Sequence, residues 1–321
     1  MIRGAVCTGA LLVAAGCGSS ASSAVVETTV AVTTTTETAP PSTTVALVDV
    51  EIDVAVDQRP TAATEPAPLA DQIATAEAAV RDPDTEADDR AAFGHLQQVA
   101  YAALAARPEW DAEVLESVPD HLHVAVEANL SARRTSKALL PTEPATDLPA
   151  WRIIAPESAE NLLGYYREAE TQTGIEWEYL AAINLMETRM GRIIGDSSAG
   201  AQGPMQFLPT TWAGEGIGEG DIYDPADAVA AAARYLVRRG GPDDMATALY
   251  GYNNSDSYVN AVEQYATVLR DDPRAYHGYH EWQVYYATAE GTVWLQEGYD
   301  QTTPIPAVDY LAAHPEAAPN P

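Results

Sequence analysis

The residue whose type and setting most readily suggest chemistry is Glu187, in the run INLMETRMGR (residues 183–192), followed at 197–212 by SSAGAQGPMQFLPTTW. A carboxyl at the end of an apolar helix, with a glycine-rich, amide-bearing loop just beyond, is an arrangement that can break a sugar–sugar bond with a single acid. A helix C-terminus carries partial negative charge, and Met186 and Met190 can desolvate the carboxyl, so both effects raise its proton affinity. A glutamate that holds its proton near neutral pH can donate it to a glycosidic oxygen. Most glycosidases use a second carboxylate, as nucleophile or to activate water. The nearby acids Asp196, Glu215, Glu219, Asp221 and Asp224 lie in a stretch of solvated composition, and none has a clear claim to that role. If the substrate supplies its own nucleophile, one glutamate can serve first as acid and then as base.

Helical elements must position these residues. Upstream, EWEYLAAINLMETRMG places Trp177, Leu180, Ala181 and Asn184 on one face and predicts a buried helix running to Gly191. Downstream, Asp224-Pro225-Ala226-Asp227 supplies an N-cap acid, a first-turn proline and a third-position acid. Val229, Ala232, Ala233 and Leu236 then form an apolar face, closed by Arg238, Arg239 and Gly240. A further helix is expected from near Ser255 through Tyr258, Val262, Tyr265 and Leu269. Residues 69–140 are rich in Ala, Leu, Val and acids. Leu96, Val99, Ala103 and Leu104 there predict amphipathic helices, and Arg133, Arg134 and Lys137 suit a helix C-terminus. The Pro-rich LLPTEPATDLP reads as a boundary before the main domain, expected at 145–272. The tail HEWQVYYATAEGTVWLQEGY, within 273–321, alternates well enough to predict a β-hairpin turning near Glu290-Gly291, with Trp282, Tyr286 and Trp294 packing rather than stacking on ligand.

The N-terminal part addresses location. Residues 1–16 have a basic start at Arg3 and an apolar run too short to span a membrane, which reads as a signal peptide. Residues 17–68, rich in Thr, Ala, Pro and Val, read as a flexible linker, and LVDVEIDVAV (47–56) as part of it despite its strand-like alternation. With Cys7 inside the signal, the mature chain holds only Cys17, so stability must come from packing rather than an internal disulfide. The formal net charge of −30 argues against nucleic acid as a partner and leaves a neutral, hydroxyl-rich polymer open. The six histidines show no metal-ligand spacing, and neither metal nor cofactor is expected.

ETRMG (187–191), SSAGAQGPMQFLPTTW (197–212), DIYDPADAVAAAARYL (221–236) and ALYGYNNSDSYV (248–259) together resemble the lytic transglycosylases of bacterial cell walls. The Glu-Thr-Arg-x-Gly form is more similar to the membrane-bound B type than to the soluble type. The resemblance implies a mainly α, lysozyme-like (α+β) domain that cleaves the MurNAc–GlcNAc β-1,4 bond of peptidoglycan. It implies that Glu187 is acid and then base, that Gln206 contacts the glycan, and that Tyr252, of the Tyr252-Asn253 pair, sets its hydroxyl beside the glutamate. Ser197 matches the serine of the loop over the cleft, and Thr188 is a candidate to orient the acid or contact substrate. The implied product is a 1,6-anhydro end, formed by attack of the MurNAc 6-hydroxyl with help from the N-acetyl group. Two departures stand out: Asn254-Ser255 follows Tyr-Asn where Ala-Gly is common, and GEGIGEGDIYDP lacks the alternating acids of a calcium loop. Ala14-Ala15-Gly16-Cys17 resembles a lipobox, implying lipidation of Cys17 and a monomer anchored to the outer face of the cytoplasmic membrane, facing the wall; the alternative is ordinary cleavage and secretion. Two other functions remain open, a hydrolytic muramidase on the same fold and a non-catalytic wall-binding lipoprotein.

Overall fold

The computed structural model describes residues 58–318; the signal, the lipobox and most of the linker lie outside these described residues. Four helices come first: α1 (Pro66–Arg81), α2 (Ala87–Ala105), α3 (Asp111–Ser117) and α4 (His123–Ser136). Short strands β1 (Asp147–Leu148) and β2 (Arg152–Ile153) lead to α5 (Ala159–Thr173) and α6 (Trp177–Thr188), followed by β3 (Ile193–Ile194). Then come α7 (Pro209–Trp212), α8 (Pro225–Arg238), α9 (Met245–Tyr252), α10 (Asp256–Asp271) and α11 (Tyr276–His280). The chain closes with β4 (Val284–Thr288), β5 (Gly291–Leu295), β6 (Ile305–Pro306) and α12 (Ala307–Ala313). The strands pair antiparallel as β1 with β6, β2 with β3 and β4 with β5. The fold is mainly helical, as expected.

Local chemistry sets the helix starts. The Asp224 carboxylate accepts from the backbone N–H groups of Ala226 and Asp227 at 2.9 and 3.0 Å, with Pro225 in the first turn. Asp227 reaches back to the N–H of Asp221 at 2.8 Å, rather than to the cap itself, and so ties the preceding loop to α8. Helix α10 follows Ser255, where its start was expected. The tail hairpin turns through Ala289-Glu290, pairing Thr288 with Gly291.

Helix α6 is buried nearly all round, through Trp177, Leu180, Ala181, Ala182, Ile183, Asn184, Leu185 and Thr188, and not on one face alone. It also stops before Gly191, because Arg189 and Met190 already adopt positive φ of 54° and 60°. Residues of α1–α4 do not form a core of their own. Leu69, Ile73, Tyr101, Leu104, Val126 and Leu130 belong to the same apolar cluster as α5, α6, α8 and α10. Helix α4 lies along α10. Trp282 and Trp294 pack, as expected, and the Trp282 indole N–H donates to Gln97 at 2.8 Å.

Candidate active site

Glu187 lies in the last turn of α6, partly exposed at the residue level while its carboxyl end is enclosed by protein. Its Oε1 accepts a hydrogen bond from the Tyr258 hydroxyl at 2.7 Å. Burial drives its pKa up to about 7, against the opposing pull of that hydrogen bond. Among the described residues, no carboxylate contributes to the shift. Asp196, Glu215, Glu219, Asp221 and Asp224 are all exposed, and Asp221 and Asp224 hold backbone N–H groups of their own loop.

The phenol on the carboxyl is therefore Tyr258, not Tyr252. Tyr252 ends α9, and its hydroxyl donates to the Met205 carbonyl at 2.7 Å. Its ring nevertheless stacks parallel to that of Tyr258, centroids 6.4 Å apart, close enough for Glu187 to act on it electrostatically. Tyr258 enters from the first turn of α10, which packs on α6, so its side chain reaches the end of that helix. Sequence reasoning placed Tyr258 on an apolar helix face; its one distinguishing signal was a phenol where leucine or valine would fill the space equally well.

A cavity of about 710 Å³ opens beside this pair, lined by Gln206, Phe207, Tyr235, Arg239, Tyr250 and Tyr252 among others. Neither Glu187 nor Tyr258 lines it; the link runs through Tyr252, which forms part of the wall and stacks on Tyr258. Gln206 stands at φ 49°, a left-handed conformation that costs a non-glycine residue roughly 1 kcal/mol or more. Its amide donates to the Gly203 carbonyl at 3.0 Å. Gly203, at φ 73°, crosses so close to Ile222 that a Cβ would meet its carbonyl oxygen at 1.9 Å. The loop is thus pinned where it presents Gln206 to the cleft. Phe207 is buried against Trp212, Tyr235 and Tyr252 and also contributes to the wall. Tyr250, 40% exposed, faces the cleft rather than packing.

The remaining expected residues are placed differently. Thr188 is fully buried and cannot touch substrate. Its hydroxyl donates to the Pro204 carbonyl at 2.6 Å and accepts from the N–H of Gly191, so it ties α6 to the loop. The Ser197 hydroxyl accepts from the N–H groups of Ala199 and Ala201 and shapes its own turn. Asn253 is exposed at the end of α9, outside the cavity wall, whereas Asn254 lines it. Cys17 lies outside the described residues.

A mainly helical domain that holds one enclosed, proton-retaining carboxyl beside an open cleft is of the lysozyme-like class. More particularly, residues 164–273 match the family model described as Transglycosylase SLT domain. Membrane-bound lytic murein transglycosylase F of Thiobacillus denitrificans is 27% identical over 129 residues, which cover 38% of this chain and 27% of that protein. The matched stretch therefore spans little more than a quarter of that relative. No solved structure matches the chain.

Proposed function

We propose that the protein is a peptidoglycan lytic transglycosylase in which Glu187 is the sole acid–base residue. The observation that carries this reading is a carboxyl whose pKa burial raises to about 7, with no second carboxylate among the described residues acting on it. In its protonated form Glu187 donates to the oxygen of the MurNAc–GlcNAc bond as the C1–O bond breaks and the substrate's N-acetyl oxygen closes on C1. The resulting carboxylate then removes the proton of the MurNAc 6-hydroxyl, whose oxygen displaces the acetamido oxygen at C1. A 1,6-anhydro end forms and Glu187 regains its proton, so no water enters. Gln206 is proposed to hold the glycan in the cleft, with Tyr250 and Asn254 as further contacts. The relative's printed name and the lipobox-like Ala14-Ala15-Gly16-Cys17 support an envelope location, with Cys17 lipidated and the site facing the wall.

Mass analysis of fragments released from purified peptidoglycan tests the chemistry. Anhydro ends are expected; reducing ends one water heavier would make the protein a hydrolase. Release is expected to fall by roughly 10²-fold or more in Glu187→Gln, the scale of a lost general acid. Undiminished release by that variant would remove Glu187 from the mechanism. Cys17→Ala is expected to move the protein from the membrane fraction to the soluble one, and retention in the membrane would refute the anchor.

A further inference from the structure

A second cavity, of about 410 Å³, opens where residues 59–64, α2, α4, the end of α6 and the β4–β5 hairpin meet. Its walls carry four arginines, Arg59, Arg107, Arg133 and Arg189, and among the described residues no aspartate or glutamate. That is unexpected in a chain with 47 acidic residues against 17 lysines and arginines. Some arginines elsewhere do meet carboxylates: Arg134 meets Asp111 and Arg270 meets Glu176, each at 2.6 Å. Among the described residues, none of the four in the cavity has such a partner.

Among the described residues, what holds these four side chains leaves their charge uncompensated. The Arg59 guanidinium lies 4.9 Å from the Tyr285 ring and donates to the carbonyls of Ala318 and Thr292 at 2.7 and 3.2 Å. Arg107 sits 4.7 Å from the Trp110 ring and Arg133 5.2 Å from that of Trp282. Arg189 donates to the Leu185 carbonyl of its own helix. Aromatic faces and carbonyls fix position without neutralising a cation. The Arg59 Nε is buried with no partner. Burial and the nearby Arg133 both push the Arg189 guanidinium below its ordinary range, and burial together with Arg59 and Arg192 pulls His95 behind the hairpin down to about 3. The region thus has a surplus of positive charge and donors.

We propose that this cavity binds a small oxyanion of two or more negative charges, a phosphate ester or a polycarboxylate, held by the guanidinium edges of Arg59, Arg107, Arg133 and Arg189. Arginine's planar fork matches both oxyanions bidentately, and a multiply charged guest would offset the mutual repulsion of its hosts. The volume lies at the small end of ligand sites, roughly 300–1,000 Å³, which suits a small molecule rather than a polymer.

Calorimetric titration of the full chain with pyrophosphate and, separately, with citrate, at constant ionic strength, tests this. Saturable binding of at least one is expected; pyrophosphate alone would assign a phosphate ligand and citrate alone a polycarboxylate. Arg133→Gln is expected to weaken binding by roughly tenfold to a hundredfold, the scale of a lost charged hydrogen bond. Arg107→Gln gives the same readout should the first variant fold poorly. Absence of saturable binding to either anion, or equal affinity in wild type and both variants, would overturn the proposal. So would binding that emerges only when Asp49, Glu51, Asp53 and Asp57 are changed together to their amides, since the pocket would then belong to the chain's own acidic stretch.

Discussion

At the scale of single residues, the proposed mechanism makes the pair Glu187–Tyr258 the control on working pH. The Tyr258 hydroxyl donates to the carboxyl and favours its ionised form, so it lowers a pKa that burial has raised to about 7. Tyr258→Phe removes that restraint and raises the pKa further. The alkaline limb of kcat/KM, which falls as the acid loses its proton, is then expected to move to higher pH; an unmoved limb would show that Glu187 does not govern it. The same group makes stability pH-dependent. The folded carboxyl keeps its proton to about 7, whereas an unfolded one releases it near its ordinary 4.5. Between these values the folded state binds more protons, so its stability falls as pH rises through the window. Glu187→Gln has no charge to bury. Its melting temperature relative to wild type is expected to climb from pH 4.5 to 7 and then level off, and a difference that stays flat would argue against the shifted pKa.

At the scale of elements, the end of α6 and the loop after it act as one unit joined by Thr188. Its hydroxyl serves the Pro204 carbonyl, the Asn184 amide and the Gly191 N–H. Thr188→Val keeps the shape and leaves the Gly191 N–H without its partner, while the Asn184 amide and the Pro204 carbonyl keep only their own bond at 2.9 Å; the cost is about 1–3 kcal/mol in denaturant unfolding, and Thr188→Ser should recover most of it. Loss from the valine variant below a few tenths of a kcal/mol would refute the strut. This joint was not legible in the sequence. Two consecutive non-glycine residues, Arg189 and Met190, turn left-handed before Gly191, and that turn carries Thr188 inward. The start of α8 was legible because a cap is chemistry between residues two or three apart; α10 does begin after Ser255, but that side chain makes no cap hydrogen bond. Glu187 was legible from its motif, and Tyr258 was not, since its partner lies 71 residues away and its neighbours are apolar. The four-arginine cavity draws on separate segments, so no local pattern could announce it.

At the scale of the whole molecule, α1–α4 complete the core that positions the site. The sequence offers a boundary at the prolines of 141–149, and the chain does leave α4 there for β1. Yet α4 packs along α10, the helix that delivers Tyr258: the Thr135 hydroxyl donates to Asn260 at 2.9 Å, and buried Ala125, Val126 and Ala132 belong to the same apolar cluster. The buried residues of α10, including Ala261, Val262, Tyr265 and Leu269, share that one cluster. A chain trimmed to 145–272 would expose this face to water at roughly 25 cal/mol for each Å² of apolar surface uncovered, against a total stability of only about 5–15 kcal/mol. It is also trimmed of Trp282, which packs at 0% exposure against Tyr265 and Tyr279. The trimmed chain is therefore expected to melt without a cooperative transition, to bind a hydrophobic dye and to release no glycan fragments, whereas residues 58–318 should do the reverse. Cooperative melting of 145–272 at a temperature near that of 58–318 would show that α1–α4 are an appendage. The physical reason to expect otherwise is that the helix holding the acid and the helix holding its phenol are fixed relative to each other by the same buried side chains that α4 covers.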